Sequence, residues 1–520
     1  MLMRIVVLLS FFSLTTPAWA QVETSTTGGL VGVVRYEGPP PPQANIHAHV
    51  NPEVCGADHP MVREDLLVSA EGGLANVAIV IEAAPVTGPT KAVAHLDQLN
   101  CMFGPHLQTV RAGTTLEISN GDKVIHNVHA TSRGRTVFNL AMPRRGVRLR
   151  RPLDNPGLIT FRCDSGHDWM AAYVLVVPHN LHGVSDRDGR FKIDGLPPGQ
   201  HQVRAWHELL GPMSGTVQVE AGQVARLELT YRRAADLESE PGRDRAAESG
   251  QSDKKLAELA GSLSGELQAT KTALEELKLQ MLKERKQAVA AHARPLYLQH
   301  CAVCHGSDGD GKGPGARFIA IMPRDFTRGE YKFRLTPSGA PPRVEDLYRT
   351  ITLGVVGTEM PPWREVLTDA QRRLLAEYVL GFAEIEEEDR QDPISISEPT
   401  PSTPEAIARG KQLFEELQCA QCHGPEGRGD GPSVATMVDA WGKPIRPANL
   451  TLPHFKGGRG ARVVYRTIVT GLSGSPMPSF ADLLPEEDRW ALTHYVLSLS
   501  EARGPLDYLF GDPAGRIRVP

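Results

Sequence analysis

Two short segments of the chain repeat one arrangement of two cysteines and a histidine. They are CAVCH at residues 301–305 and CAQCH at residues 419–423. Two thiols three residues apart on a helical turn can each bond one vinyl group of the same porphyrin, and the adjacent histidine then lies under the iron. The pattern predicts two covalently attached haem c groups, whereas a zinc knuckle or a redox CxxC pair is the alternative. The predicted haem-binding residues are Cys301, Cys304 and His305 in the first copy and Cys419, Cys422 and His423 in the second.

A methionine follows each motif at a matched distance. Met360, in GTEMPPW, lies fifty-five residues after His305, and Met477, in GSPMPSF, lies fifty-four residues after His423. Each precedes a proline, which stiffens the loop and lacks an N–H donor. We therefore predict Met360 and Met477 as the second axial ligands of the two irons, although each could simply fill core. The fallback candidates are Met322 and Met437.

The sequence around these ligands is itself repeated. LYRTITLG, beginning at Leu347, aligns with VYRTIVTG at Val464, and YVL recurs further on at the same offset of 117 residues. Residues 403–500 therefore repeat residues near 286–383. Each copy closes with a segment that has apolar residues at helical spacing, DAQRRLLAEYVLGF or EEDRWALTHYVLSL.

Through these motifs, Met-Pro loops and closing helices, both halves resemble class I cytochrome c domains. The resemblance implies two all-α domains at residues 287–390 and 403–502, joined by a linker at 391–402 and followed by an uninformative tail at 503–520.

A third set of metal-binding residue types lies upstream, in FRCDSGHDWM and EISNGDKVIHNVHATS. The first segment reads as a loop between two strands, and the histidine of the second follows a strand-like run and a turn. A thiolate and two imidazoles with a weak axial methionine hold copper in electron-transfer sites. The arrangement resembles a plastocyanin-like cupredoxin. That resemblance implies His126, Cys163 and His167 as strong copper ligands and Met170 as the axial ligand.

The loop departs from the family pattern in its spacing. Three residues separate Cys163 from His167 and only two separate His167 from Met170, where plastocyanin-like loops place more residues before the methionine. A binuclear copper centre would need two cysteines here. The alternative interpretation is that Cys163 is a small buried apolar residue and His167 a hydrogen-bonded core histidine. Spare candidates are His106 and His129, and His47 and His49 form a weaker pair.

The two remaining thiols, Cys55 and Cys101, are the candidates for a disulfide. An exported protein rarely leaves cysteines unpaired, and Cys163 is then single. The bridge would enclose a loop of about 46 residues and stabilise the fold by about 4 kcal/mol in the chain-entropy description.

The first twenty residues, MLMRIVVLLSFFSLTTPAWA, have the features of a secretion signal. Arg4 precedes a short apolar run, and Ala18-Trp19-Ala20 fits a cleavage site. A membrane anchor is the alternative, but the run is shorter than the roughly 20 residues that a span needs. We expect a signal peptide at residues 1–20 and a periplasmic mature protein.

The rest of the N-terminal half reads as β structure. Residues 21–178 are expected to form the cupredoxin-like sandwich, with strands near LVGVVRY, NVAIVIEA, TLEIS, LITFRC and YVLVV. In residues 179–232 apolar and polar residues also alternate, as they do in strands, and the segment resembles a carboxypeptidase regulatory-like β module. Because this segment is short for independent stability, we expect it to pack on the cupredoxin or to borrow an N-terminal strand.

Residues 233–286 are expected to be a linker followed by a coiled-coil-like helix. Apolar residues alternate in steps of four and three along 256–281, which is a heptad seam. It predicts association between copies of the chain, or else one amphipathic helix lying on a domain. Gly261 and Gly265 weaken its start by about 1 kcal/mol each relative to alanine.

The predicted fold is thus multidomain: an all-β N-terminal part, a heptad helix and two all-α cytochrome c domains. A net charge of -5 does not favour a nucleic-acid partner. We expect an electron carrier more than an enzyme, relaying electrons between a donor and an acceptor protein, because His/Met ligation closes both axial positions of each iron. The alternatives are a dihaem peroxidase-type enzyme, a copper nitrite reductase with a cytochrome tail, and a scaffold docked on a membrane-bound respiratory complex.

Overall fold

The computed structural model describes two stretches of the chain, one rich in strands and one helical. The predicted signal peptide, most of the linker and the C-terminal tail lie outside the described residues. The described residues are 27–232 and 257–501, with gaps at 39–41, 58, 83, 85–89, 384, 386–388, 453–454 and 459, and the side chains of 257–275 and 278–279 are also not described.

Eighteen strands make up the N-terminal stretch. They are β1 (Gly28–Glu37), β2 (Asn45–Ile46), β3 (Met61–Val62), β4 (Ala78–Ile81), β5 (Val93–Leu99), β6 (Met102–Gly104), β7 (Leu107–Arg111), β8 (Thr114–Asn120), β9 (His126–Ser132), β10 (Arg135–Met142), β11 (Arg148–Leu153), β12 (Gly157–Arg162), β13 (Ala171–Val177), β14 (His182–Val184), β15 (Arg190–Leu196), β16 (Gly199–His207), β17 (Gly211–Val219) and β18 (Val224–Arg232).

Nine of these strands form a first sandwich. One sheet has the order β10-β9-β12-β13-β7 and the other β11-β8-β5-β6, and each contains one parallel pair, β13 with β7 and β5 with β8. Alternate residues of each strand face a shared apolar core. Buried members of this core include Leu96, Leu116, Val128, Phe161 and Val174. This sandwich carries the predicted copper ligands, and three of its strands are those expected near TLEIS, LITFRC and YVLVV.

The other two strands expected in that sandwich, LVGVVRY and NVAIVIEA, belong elsewhere. They form β1 and β4, which join a second sandwich with sheets ordered β15-β1-β18 and β14-β4-β16-β17. The single boundary at residue 178 is therefore wrong for these two strands. The physical reason is burial: β14–β18 supply too few apolar residues to close a core alone, and β1 and β4 contribute Leu30, Val34, Ile79 and Ile81 to it.

β1 is inserted between two strands that follow it by more than 150 residues. It pairs antiparallel with β15 and parallel with β18, from Gly29 opposite Val224 to Glu37 opposite Arg232. A Cβ atom at Gly32 would lie 2.3 Å from the Phe191 ring, so the glycine makes room for that side chain in the sheet. The second module thus borrows strands from the N-terminus.

The C-terminal stretch contains eight helices in two matching sets. They are α1 (Ala257–His300), α2 (Ala302–His305), α3 (Val344–Leu353), α4 (Asp369–Leu380), α5 (Pro404–Glu416), α6 (Ala420–His423), α7 (Ala461–Thr470) and α8 (Glu486–Glu501). The starts of α4 and α5 follow local capping chemistry. Thr368 accepts a hydrogen bond from the Gln371 amide, and Thr403 accepts one from Ala406 ahead of a proline at the first helical turn.

α1 is a single helix of 44 residues, so the expected boundary between linker helix and cytochrome domain falls inside it. Leu277 and Met281 are more than half exposed, whereas Ala293 and Tyr297 are fully buried in the core of the first helical set. Association of copies through the seam stays a prediction. Within the described residues, no helix has the length and apolar character needed to cross a membrane.

β10 joins the first sandwich to both helical sets. Ala141 donates to the Ser479 carbonyl, and Ser479 donates to the Asn139 carbonyl, so β10 pairs with a loop of the second set. Thr136 donates from its amide and its hydroxyl to Glu330 of the first set. These contacts fix the predicted metal-binding residues of the three parts relative to one another.

Candidate copper and haem sites

Three of the four predicted copper ligands converge inside the first sandwich. His126 begins β9, and Cys163 and His167 lie in the loop between β12 and β13. Cys163 Sγ lies 3.7 Å from His126 Nδ1 and 3.6 Å from His167 Nδ1, and the two Nδ1 atoms are 3.1 Å apart. Both histidines are fully buried and Cys163 is 3% exposed. Pairing of β9 with β12 is what brings the distant histidine to the loop.

The outer nitrogen of each histidine is held by a polar side chain. His126 Nε2 donates to Asp122 Oδ2 at 3.0 Å, and His167 Nε2 donates to Asn51 Oδ1 at 3.1 Å. This contact leaves Nδ1 of each ring directed toward Cys163, where it can donate to the thiolate or, without its proton, bind a metal. The sequence analysis did not predict the roles of Asp122 and Asn51. The one local indication for Asp122 is its place in the NGDK turn just before His126.

Electrostatics favour a thiolate at the centre of this group. Burial opposes the charge on Cys163, but hydrogen bonds from His126 and His167 outweigh it and lower the pKa of the thiol to about 5. Burial likewise opposes protonation of His126, and its contacts with Asp122 and Cys163 raise its pKa to about 9. A metal cation would take the place of the ring protons that face the thiolate, and one thiolate with two neutral imidazoles is the donor set of electron-transfer copper sites. The residues therefore fit copper.

Met170 lies in the same core but its role is less defined. It is fully buried and clusters with Cys163 in the core of the first sandwich. Its amide donates to the His167 carbonyl at 3.0 Å, which closes a tight turn after the second histidine. Its assignment as the axial ligand stays a prediction.

The predicted disulfide is confirmed: Cys55 and Cys101 are bridged. It lies beside the predicted copper ligands, because the Cys101 amide donates to Asp122 Oδ2 at 2.8 Å and Trp169 Nε1 donates to the Cys101 carbonyl at 2.9 Å. Asn51 stands four residues before Cys55. The bridge thus lies close to Asp122 and to Asn51, the residues that hold the outer nitrogens of His126 and His167.

The spare histidines have other partners. His129 pairs with Asp164 at 2.8 Å and Thr136 at 2.9 Å, and His106 pairs with Glu208. His49 lies 3.6 Å from Asp168. Among the described residues, none of these joins the group formed by Cys163 and its two histidines.

The first CxxCH motif borders a cavity of about 410 Å³. His305 Nδ1 donates to the Arg324 carbonyl at 3.1 Å, so Nε2 is the nitrogen left to bind iron. The cavity walls are mostly apolar, and they also contain Met360 and Met322. Other residues in the cavity wall include Cys301, Cys304, Phe326, Leu347, Ile351 and Trp363.

The second CxxCH motif has the same local geometry. His423 Nδ1 donates to the Ala448 carbonyl at 3.1 Å. The two methionine loops also match: the Met360 carbonyl accepts from Val355 N at 3.0 Å, and the Met477 carbonyl accepts from Leu472 N at 3.0 Å. The structure thus extends the sequence repeat to the hydrogen bonds of the predicted ligand loops, while the iron ligation itself stays a prediction.

Unpaired buried cations test the fit of haem. Arg324 Nη1 and both Nη atoms of Arg466 are buried and have no hydrogen-bond partner among the described residues. Burial, followed by the positive charges of Arg324 and Lys456, lowers the pKa of Lys332 to about 7. Buried cations require anions, and a haem presents two carboxylates. Arg324 and Lys332 line the cavity beside the first CxxCH motif, so these residues fit haem.

Comparisons with known proteins define the class of the helical part. Residues 407–500 match the family model described as cytochrome c, and residues 288–379 match the model described as cytochrome c oxidase, cbb3-type, subunit III. The C-terminal region therefore contains cytochrome c domains at residues 288–379 and 407–500, and such domains bind haem c covalently.

The curated relatives are named as cbb3-type cytochrome c oxidase subunits. The chain is 29% identical to subunit FixP of Sinorhizobium medicae over 34% of this chain and 58% of the relative. It is 30% identical to subunit CcoP of Rubrivivax gelatinosus over 42% of this chain and 57% of the relative. The chain thus spans less than two thirds of the length of these relatives.

Solved structures resemble separate parts of the chain. A chain of the Kuenenia stuttgartiensis reducing HAO-like protein complex is 43% identical, covers 40% of this chain and 94% of its own, and has a TM-score of 0.38. A purple cupredoxin from Nitrosopumilus maritimus is 23% identical, covers 16% and 99%, and has a TM-score of 0.15. Both TM-scores are low, so the predicted copper and haem sites depend on the residues described above and not on these structures.

Proposed function

We propose that this chain is an extracytoplasmic electron-transfer protein that carries two haem c groups and one type 1 copper and relays electrons between a donor and an acceptor protein. The observation that supports it most is the buried group of Cys163, His126 and His167 in a chain that also has two CxxCH motifs. Cytochrome c domains function outside the cytoplasm, which agrees with the expected periplasmic location.

Each metal would be held and enclosed by the chain's own residues. Copper would supply a one-electron centre bound by Cys163, His126 and His167, with Met170 as the proposed axial ligand. Asp122 and Asn51 keep the two rings in the tautomer that directs Nδ1 inward. Each haem would be held by its CxxCH motif, with Met360 or Met477 closing the second axial position, and His/Met ligation raises the potential of a haem.

A carrier role is favoured over the two enzyme alternatives. A dihaem peroxidase needs one iron with an open axial position, whereas Met360 and Met477 lie in loops with the same hydrogen bonds. A copper nitrite reductase needs a second copper held by histidines. Among the described residues, two other clusters of possible metal ligands contain His126 or His167. Both include Cys101, whose sulfur is in a disulfide and does not bind a metal as a thiolate would.

Association with a membrane-bound respiratory complex is the proposed setting. It is suggested by relatives that are named as subunits of cbb3-type oxidases. In this setting the chain donates electrons to such a complex or accepts electrons from it, either as a separate protein or docked on the complex.

Metal and haem analysis of the purified mature protein, combined with a redox titration, tests this function. The expected result is two low-spin haems and one copper per chain, each titrating as a one-electron centre. Rapid turnover of peroxide or nitrite would contradict the carrier role, and a protein that takes up no copper would contradict the copper assignment.

A further inference from the structure

The copper-ligand segment and the second haem-attachment segment are joined by one side chain. Gln418, the residue before Cys419, extends its amide group into the first sandwich. Its Oε1 accepts from the amide of Ile125 at 3.0 Å, and its Nε2 donates to the carbonyls of Lys123 at 3.0 Å and Pro143 at 2.9 Å. Ile125 is the residue before His126, so the contact links the neighbour of a copper ligand to the neighbour of a haem cysteine.

The backbone at Gln418 is one that glycine usually provides. Helix α5 ends in a Schellman motif, in which Cys419 N donates to the Phe414 carbonyl and Gln418 N donates to the Glu415 carbonyl. Gln418 occupies the left-handed position of that motif, with φ of 54°. An L residue with a long side chain is disfavoured there. The first repeat has no such turn, since α1 runs without interruption to His300.

A second contact lies between the same two segments. Ser433 Oγ donates to the carbonyl of Ser165, inside the loop that holds Cys163 and His167, at 2.9 Å. A Cβ atom at Gly166 would lie 3.3 Å from Thr436 Oγ1, so the copper loop and the second cytochrome domain are closely packed.

The first cytochrome domain contacts the copper-binding sandwich further from the ligands. Its hydrogen bonds to this sandwich include those of Glu330 with Thr136 and of Ser338 with Asn139, both on β10, and that of Arg328 with the Gly134 carbonyl. None of these sandwich residues is adjacent in sequence to a proposed copper ligand, and Asn139 reaches such a neighbour through a further hydrogen bond from Asn127. The connection through covalent and hydrogen bonds from the proposed copper ligands is therefore shorter to the second CxxCH motif, through Ile125 and Gln418, than to the first.

We propose that the copper exchanges electrons directly with the second haem inside the chain, and that Gln418 is the positioning residue that couples them. The order of centres is then copper, second haem, first haem. In the forward step Cu(I) loses one electron to become Cu(II) and Fe(III) gains it to become Fe(II), with no proton or other reactant required. This inference rests on the proposed function.

Rapid reduction of the copper in the fully oxidised full-length protein, by pulse radiolysis, tests it. In the wild type, copper reoxidation and haem reduction should share one rate that is independent of protein concentration. Gln418→Asn keeps an amide and suits the left-handed backbone, but it is one methylene too short to span the contact. We expect this variant to slow the shared rate several-fold while the copper and haem spectra and potentials stay unchanged.

Asp482→Asn is the matched control, because Asp482 pairs with Arg151 across the same pair of domains, and neither residue is adjacent in sequence to a proposed copper ligand or a haem cysteine. It should retain the wild-type rate. The receiving haem is identified with Met477→His, which lowers the potential of the second haem and should abolish the fast phase.

Two results would overturn the inference while leaving the proposed function intact. One is an unchanged rate in Gln418→Asn, and the other is loss of the fast phase in Met360→His instead of Met477→His. Failure of the proposed function would be seen separately, as a protein that lacks the copper or haem signals before any reduction is started.

Discussion

Arg324 lies over the indole ring of Trp441, with its guanidinium carbon 4.3 Å from the ring centroid. The two residues belong to different cytochrome domains. The carbonyl of Arg324 also accepts the hydrogen bond from His305 Nδ1, the proposed proximal ligand of the first haem. Arg324 thus orients that ligand and packs on the second domain, while its Nη1 is buried without a hydrogen-bond partner among the described residues.

Arg324→Gln should lower the potential of the first haem. A buried positive charge disfavours the ferric state more than the ferrous state, so its removal favours ferric iron. A change of about 1 kcal/mol corresponds to roughly 40 mV for a one-electron couple. Arg328→Gln is the control, because Arg328 also lies near the Trp441 ring but its guanidinium is hydrogen bonded to two carbonyls. Equal shifts in both variants, measured by redox titration, would argue against a specific role for Arg324.

Replacing either predicted axial methionine should leave an axial coordination position of its own iron open to added ligands. Met360→Ala should lower the potential of the first haem and let its reduced form bind carbon monoxide, and Met477→Ala should do the same at the second. The reason is that loss of the thioether removes both the sixth ligand and its stabilisation of ferrous iron. Met322→Ala is the control at the first site, since Met322 lines the same cavity but is half exposed. Carbon monoxide binding by Met322→Ala alone would reassign the ligand.

Cys163→Ser should abolish copper binding and the associated visible absorption while both haems remain. Serine is nearly isosteric, but its hydroxyl does not ionise to give the thiolate that type 1 copper requires. Copper content and optical spectra of the loaded protein give the readout. Copper retained at full occupancy would place the metal elsewhere.

Asn51→Ala should weaken copper binding without removing a ligand. Asn51 holds the outer nitrogen of His167, and loss of such a partner typically reduces metal affinity by about 10- to 100-fold. His49→Ala is the control, because His49 packs edge-on against Trp169 in the same region without contacting a ligand nitrogen. Competition with a copper chelator measures both affinities, and equal values in the two variants would remove Asn51 from the site.

The parts of the site that could be predicted are those encoded locally. The CxxCH motifs and the trio of His126, Cys163 and His167 are marked by residue types at short spacing, and the structure brings that trio together. Asn51 and Gln418 could not be predicted, because their roles depend on contacts with residues far away in sequence. The same limit explains β1 and β4: alternation indicates a strand but does not say which sheet it joins.

The second β-sandwich should become less stable in acid because of His207. This residue ends β16, is fully buried, and its Nδ1 accepts hydrogen bonds from the amides of Leu209 and Leu210. Burial is the main cause that lowers its pKa to about 4, against about 6.5 in an unfolded chain. As the pH falls from about 6.5 to 4, the unfolded chain binds a proton that the folded chain does not. Folding stability should therefore decrease by on the order of 2–3 kcal/mol over that range.

His207→Asn isolates this effect, because the asparagine Oδ1 can accept the same two hydrogen bonds but does not titrate. Denaturant unfolding of the full chain from pH 7 to 4, followed by a probe in the second sandwich, should show a shallower loss of stability in the variant than in the wild type. His201→Asn, on the same strand but partly exposed, should keep the wild-type slope. Coincident pH profiles for wild type and His207→Asn would mean that the proton taken up on acid unfolding binds at another residue.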